Sequence, residues 1–315
     1  MDFAIAVNRH GMQISMRLKR WLIGFTLVIA FVAIAKYFLL DTAAGPAGTY
    51  VIDLAALHAA ATGNGPLPSH IEVERVGDFA FPRTLVVAGG GFRMHPMVLV
   101  AHRIVWPGRT FLIDTAMSPE DGARLPQGKF DKAAYARVEN AVQTAQGILF
   151  THEHVDHVGG VARAPQFDAI AGNVLMTREQ FDGPKLERDK WNPGTLERLK
   201  PFEYRGLHRV APGIVLQKAP GHSSGTQLIY VELANGTRYL FVGDIAWSED
   251  NIRLQRGRPG LVTVLGNEDR AAVAAQLKAI AALPKSVHVV VAHDPVALKR
   301  DLSAGLFRRG FATSP

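Results

Sequence analysis

Cysteine is missing from all 315 residues, which excludes disulfides, thiolate metal ligands and cysteine nucleophiles. Any metal must be held by imidazole and carboxylate. Long basic runs are also missing beyond the first forty residues. Those forty hold five cations (Arg9, Arg17, Lys19, Arg20, Lys36) against Asp2 alone, leaving 30 cations against 27 anions for the rest of a +7 chain. Without a basic run or aromatics interleaved with Arg and Lys, no nucleic-acid footprint is expected. No repeat or low-complexity tract occurs, and Gly 30 and Pro 18 are ordinary amounts, so disordered, collagenous and solenoid classes are excluded. With 48% apolar residues the chain can bury a large core.

Charge is absent from one further place, the stretch Trp21–Ala35, and apolar character resumes after Lys36 through Tyr37–Leu40. Twenty helical positions span about 30 Å, one bilayer core. Arg17, Lys19 and Arg20 precede the stretch and Asp41 follows it, a bias that keeps the amino end in the cytoplasm and exports the remainder. The expected organisation is a basic cytoplasmic segment 1–20, a transmembrane anchor 21–40, a tether 41–69 and a catalytic domain 70–315. A cleaved secretory signal is the alternative, with small residues at Thr42-Ala43-Ala44. A buried helix of a soluble domain is disfavoured because no polar face interrupts Trp21–Ala35. Met16 opens MRLKRWLIGF, which reads as a natural start.

The exported part alternates blocks of strand and helix. Strand signals fall at Thr84–Val87, Met97–Trp106, Thr110–Ile113, Gly147–Phe150 and Val287–Val291, and Asn235-Gly236 joins Gln227–Leu233 to Thr237–Val242 as a hairpin. Helical spacing marks Asp131–Ala145 and Asp269–Ala282. Two sheets packed face to face with helices outside, in one domain of about 250 residues, fit this order. Gly89–Gly91 reads as a turn, and Lys299–Arg309 as a solvated terminal helix or a contact with anionic lipid.

The chemistry concentrates in His152-Glu153-His154-Val155-Asp156-His157, on the turn after a strand. His152 and His154, two apart, can point the same way, whereas Asp156 and His157 project to a neighbouring point. Two adjacent metals suit this better than one. His222 lies in a glycine-flanked loop, and Asp244 and His293 stand where strands stop. If they converge, one cation takes His152, His154 and His222, the other takes Asp156, His157 and His293, and Asp244 bridges. Zinc is the expected metal, with iron or manganese possible. His10, His58, His70, His95, His102, His208 and His288 read as ordinary core or surface residues. Glu153 reads as pointing away, toward solvent or behind the ligands.

In this order of motifs, HxHxDH, a PGHSxG-like His222, the Gly-Asp of Asp244 and a last His293, residues 80–295 resemble the metallo-β-lactamase superfamily. The resemblance implies an α/β fold, the αββα sandwich, with a metal-bound active site at the edge between the sheets and Asp114 behind the ligands. Flavo-diiron members have Glu where this chain has His154, and cysteine-free β-lactam hydrolases lack a bridging aspartate. The pattern is closer to lactonases and to thioesterases of the glyoxalase II type. The latter carry a helical carboxyl-terminal domain, whereas 22 residues follow His293 here. Acyl-homoserine-lactone hydrolases carry Tyr three residues after the bridging Asp, where this chain has Trp247. The expected function is thus a metal-dependent hydrolase that uses a metal-bridging hydroxide to cleave a carbonyl ester bond. The substrate would be a lactone or similar small molecule, with Asp156 or Asp244 relaying a proton. Thioester, β-lactam or phosphodiester hydrolysis and a non-catalytic metal-binding module are the alternatives.

Overall fold

The computed structural model describes residues 16–42 and 48–311. Strands β1 (His70–Pro82) and β2 (Met94–Trp106) are the longest and pair antiparallel from His70 opposite Val105 to Pro82 opposite Met94. They are followed by β3 (Arg109–Ile113), β4 (Lys129–Phe130), β5 (Gly147–Leu149) and β6 (Val174–Leu175). The second half supplies β7 (Leu207–Ala211), β8 (Ile214–Lys218), β9 (Gln227–Glu232), β10 (Arg238–Phe241), β11 (Val287–Val290) and β12 (Arg308–Arg309). One sheet runs β12-β1-β2-β3-β5-β6, with β4 also on β1, and the other runs β11-β10-β9-β8-β7.

The two sheets meet face to face. Ile71, Val73, Ile104, Ile113 and Leu149 from the first pack against Ile214, Leu216, Ile229, Val231 and Phe241 from the second. Each outer face is covered by helix. Helix Lys132–Thr144 turns Ala134, Tyr135, Val138, Ala141 and Val142 inward, the stripe that its 3.6-residue spacing dictates. Its first turn is closed by Asp131, whose side chain accepts from the amides of Ala133 and Ala134 at 2.9 and 3.0 Å. Helix Arg270–Ala281, capped in the same way by Asp269, covers the second sheet through Val273, Leu277 and Ile280. The result is the αββα layering expected from the sequence. The Asn235-Gly236 hairpin also forms, with Gly236 at φ +83° between β9 and β10.

Several local expectations change. Thr84–Val87 is not a strand: Arg83–Val86 is one helical turn. The chain reverses there through Gly89 and Gly91, both at positive φ, to deliver β2 alongside β1. Residues 48–69, expected as a tether, fold against the domain, mainly on the second sheet. Helix Leu54–Ala61 buries Leu57 and Ala61 on it, Tyr50 Oη donates to the Lys218 carbonyl (2.7 Å), and Trp106 Nε1 donates to the Pro66 carbonyl (3.0 Å). Lys299–Arg309 is not one terminal helix. Helix Pro295–Ser303 is followed by β12, which adds parallel to β1 at the sheet edge.

The apolar stretch is a single helix, Met16–Leu40, none of whose residues is buried. It is long and apolar enough to cross a membrane. Its carboxyl end touches the domain: Thr84 Oγ1 donates to the Leu39 carbonyl at 2.6 Å, and the Phe38 backbone approaches Gly260. Residues 1–15 and the small pair Ala43-Ala44, on which the cytoplasmic segment and the cleavage alternative rest, lie outside the described residues.

Candidate metal centre

The first four site residues are placed by what happens after β5. The side-chain amides of Gln180 and Gln227 both donate to the Phe150 carbonyl (2.9 and 2.8 Å), which holds the strand end. Asp114, at the end of β3 with φ +57°, then accepts from the Thr151 amide (2.7 Å) and hydroxyl (2.9 Å). His152 and His154 project from the extended turn. Asp156 and His157 follow in the first turn of helix Val155–Ala162. That helix sits close because Gly160 faces the Thr115 carbonyl, where an added Cβ would lie 2.5 Å away.

The other three arrive from the second sheet. His222 comes from the loop between β8 and β9, Asp244 from the turn Gly243–Ile245 after β10, and His293 from the residues after β11. Gly243 makes the turn at φ +50°, with an added Cβ 2.7 Å from Thr151 Cβ. Gly243→Ala is therefore expected to cost about 1–3 kcal/mol, as strain at that φ and as overpacking, measured by urea unfolding.

All seven sequence-predicted residues converge, in two groups that share Asp244: His152, His154, His222 and Asp244, and Asp156, His157, Asp244 and His293. Within each group the candidate ligand atoms lie within 4.8 Å of one another. In the first, His154 Nδ1 is 2.9 Å from His152 Nε2 and 3.0 Å from His222 Nε2. In the second, Asp244 Oδ1 is 3.3 Å from His157 Nε2 and 3.1 Å from His293 Nε2, and Asp156 Oδ2 is 3.5 Å from His293 Nε2. His152 is wholly buried, while His154 and Asp156 are partly exposed and form the open side.

The orientation of three of the rings is fixed from behind. His157 Nδ1 meets Asp114 Oδ2 at 2.9 Å, His222 Nδ1 meets Glu268 Oε2 at 2.9 Å, and His293 Nδ1 donates to the Val98 carbonyl at 2.9 Å. Each of these three imidazoles therefore turns Nε2 to the cluster. His157 Nε2 and Asp244 Oδ1 are buried without a hydrogen-bond partner. Uncompensated polar atoms of that kind are costly. Nitrogens held about 2.0–2.1 Å from one tetrahedral ion lie about 3.3 Å apart, close to the spacings within each group.

The electrostatics lead to the same place. Burial lowers His152 and His154 well below the ordinary imidazole range, helped by the neighbouring His157 and His222 respectively. Neutral imidazole is the ligating form. Burial also opposes charge on His157, but Asp156, Asp114 and Asp244 outweigh it and hold that ring well above the usual range. His293 is raised against its burial by Asp244, and His222 is raised against its burial and against Arg258 by Asp244 and Glu268. For Asp244, burial is outweighed by His293, His152 and His157, which keep the carboxylate ionised. The carboxylates thus create a field that favours positive charge in the cluster.

Of three supports behind the ligands, the place of Glu153 is one of the two alternatives open in the sequence, and the roles of Trp247 and Arg258 are not legible there. Glu153 does point away from His152 and His154, but not into solvent: it is buried, accepting from Ser223 Oγ (2.7 Å) and Ser224 Oγ (3.2 Å) and so tying the His222 loop to the first motif. Trp247 Nε1 donates to Asp244 Oδ2 at 2.6 Å, while its ring stacks on Phe81 and carries the Arg258 guanidinium 5.0 Å from its centroid. Arg258, with no exposed side chain, pairs with Glu268 behind His222. Trp247→Phe removes the donor to Asp244. A hydrogen bond to a charged group is worth about 1.5–3 kcal/mol, so kcat/KM is expected to fall about 10- to 100-fold at unchanged metal content.

A family model described as the metallo-beta-lactamase superfamily matches residues 90–293. A hydroxyacylglutathione hydrolase of Cupriavidus taiwanensis is 30% identical over 149 residues, 47% of this chain and 49% of that protein. An N-acyl homoserine lactonase of Bacillus thuringiensis is 24% identical over 104 residues, 33% of this chain and 40% of that protein. The chain therefore spans half or less of the length of these curated relatives. A solved N-acyl homoserine lactone hydrolase, with the product N-hexanoyl-L-homoserine at its catalytic metal centre, shares the fold. Its TM-score is 0.58 at 18% identity, over 74% of this chain and 96% of that one. With the matched residues enclosing the whole constellation from His152 to His293, the chain belongs to the metallo-β-lactamase superfamily.

Proposed function

We propose that the protein is a dinuclear metallohydrolase that adds water across the acyl C–O bond of a lactone or similar small ester, giving a carboxylic acid and an alcohol. The observation that carries this is the sharing of buried Asp244 by two imidazole-rich groups. His152, His154 and His222 would hold one divalent cation and Asp156, His157 and His293 the other, with Asp244 common to both. Bound there, two cations would supply Lewis acidity toward a water and toward the acyl oxygen. Zinc suits the nitrogen-rich donor set, and iron or manganese also accept it.

The chain's own residues do the positioning. Asp114, Glu268 and the Val98 carbonyl hold three rings with Nε2 inward. Trp247 fixes one oxygen of Asp244, so it is not a free donor for a substrate carbonyl. Asp156, partly exposed at the open side, would carry a proton to the departing alcohol oxygen. Lactonases among both the sequence relatives and the solved structures support this substrate class. Thioester cleavage is the second reading, favoured by the hydroxyacylglutathione hydrolases at 30–31% identity. We also infer that Met16–Leu40 anchors the domain on the exported side of a membrane, a reading supported by its unburied apolar length and by Arg17, Lys19 and Arg20 at its amino end.

Metal analysis with a panel of lactone, thioester, β-lactam and bis-nitrophenyl phosphate tests the proposal. Two metal equivalents and fastest lactone cleavage are expected, lost on chelation and regained with zinc. Full turnover after chelation contradicts it, and a preference for thioester moves the assignment to the second reading.

A further inference from the structure

The end of the apolar helix does not stand clear of the catalytic domain. It packs beside two groups of residues that support the metal centre. On one side Trp247, bonded to Asp244, stacks on Phe81 (6.2 Å between rings), and Phe81 runs directly into the turn Arg83–Val86 that holds the Leu39 carbonyl. On the other, Glu268 and Arg258 support His222 and bracket the short helix Gly260–Leu265, whose Gly260 faces Tyr37 and Phe38. Two short routes thus join the metal centre to residues 37–40.

Around this junction the domain exposes large apolar side chains. Val264 is 67% and Leu265 74% exposed, and Leu261 is partly so. On the neighbouring loop, whose Gly89 approaches the Leu40 carbonyl and Thr42, Phe92 is 64% and Met94 43% exposed. Scattered exposed apolar residues need no explanation, but a cluster continuous with an unburied 25-residue apolar helix does. Exposed Arg93, between Phe92 and Met94, adds the cation that an interfacial segment uses toward phosphate headgroups.

We infer that helix Gly260–Leu265 and the loop Gly91–Met94 lie in the interfacial layer of the membrane that Met16–Leu40 enters, and that the substrate is a long-chain acyl ester or lactone taken from the lipid. The inference rests on the readings of Met16–Leu40 as an anchor and of the centre as an ester hydrolase. One stretch of chain thus carries the site's supports, Trp247, Arg258 and Glu268, and between them the helix Gly260–Leu265 that would contact lipid. An amphiphile sitting in the interfacial layer would then meet the domain near Trp247, which bonds Asp244, without first leaving the bilayer.

The lack of native cysteine makes the test clean. Full-length protein carrying Leu265→Cys, Ile29→Cys or Asn235→Cys is labelled with a polarity-sensitive dye and reconstituted in phosphatidylcholine vesicles with brominated acyl chains. The dyes at positions 265 and 29 are expected to be quenched and blue-shifted, and the dye at 235 is not. Quenching at 29 without 265 overturns the docking while the anchor stands; quenching at neither removes both. For the substrate, the double variant Val264→Asp, Leu265→Asp is expected to lose about tenfold in kcat/KM on a dodecanoyl lactone in vesicles and to stay within about twofold of wild type on a water-soluble short-chain lactone. Equal loss on both, or none on either, overturns delivery from lipid. A wild-type protein inactive on both lactones removes the ester-hydrolase reading and the substrate assignment with it, whatever the dyes report.

Discussion

Replacing His154 by alanine, or Asp156 by alanine, is expected to lower kcat/KM on the lactone substrate by more than the 10- to 100-fold that loss of an outer supporting group causes, to the limit of detection. The reason is positional. His154 Nδ1 lies within 3.0 Å of two other candidate donors, and Asp156 lies within 3.6 Å of His157 and His293, so each deletion removes a donor rather than a prop. Both residues sit on the partly exposed side of the cluster, and neither belongs to the apolar layers between or outside the sheets. Folding should survive, with an unchanged far-UV spectrum and one fewer metal equivalent. Full turnover in either variant would remove the residue from the site.

The second large effect concerns a pair that no local pattern announces. Arg258→Met leaves Glu268 buried behind His222 with its counter-charge gone, and breaking a buried ion pair in this way costs about 3–5 kcal/mol of stability. The direction of the Glu268 ionisation agrees: burial opposes its charge, and Arg258 is the largest influence that overcomes it. Adding Glu268→Gln to Arg258→Met, which keeps an acceptor for His222 Nδ1 and removes the stranded charge, is expected to restore about half of the loss. Metal affinity should fall about 10- to 100-fold in the single variant, because His222 loses its backing. Urea unfolding and competition with a chelator measure the two effects. A single variant as stable as the wild type would show that the pair is not what holds the His222 ring.

The contrast between the site's two layers shows what a sequence displays. His152, His154, Asp156 and His157 are legible because one turn carries them all, and Asp244 and His293 because each follows a run of strand residues that ends at the sheet edge. Arg258 and Glu268 are 36 and 46 positions from His222 and reach it only through the fold. Glu153 shows a subtler limit. Alternation correctly puts it on the face opposite His152 and His154, but only tertiary structure reveals that this face meets the Ser223 and Ser224 hydroxyls rather than water.

The same holds for the scaffold. The helices Lys132–Thr144 and Arg270–Ala281 and the Asn235-Gly236 hairpin follow from local periodicity and turn chemistry. β1 does not, because Glu72 and Glu74 interrupt its apolar residues; both are buried and neutralised by Arg103 (2.6 Å) and Arg137 (2.8 Å), partners 31 and 63 positions away. Thr84–Val87 has the composition of a strand and is a helical turn, since the chain must reverse between two long antiparallel strands at that point. Pairing and reversal are properties of the assembled sheet, beyond the reach of a short window.

An anomalous-scattering map from metal-loaded crystals tests the central claim most directly. Two peaks are expected, one within bonding distance of His152, His154 and His222, the other of Asp156, His157 and His293, with Asp244 reaching both. A single peak, or density that leaves Asp244 bound to neither, would contradict the dinuclear centre and the hydrolytic chemistry drawn from it.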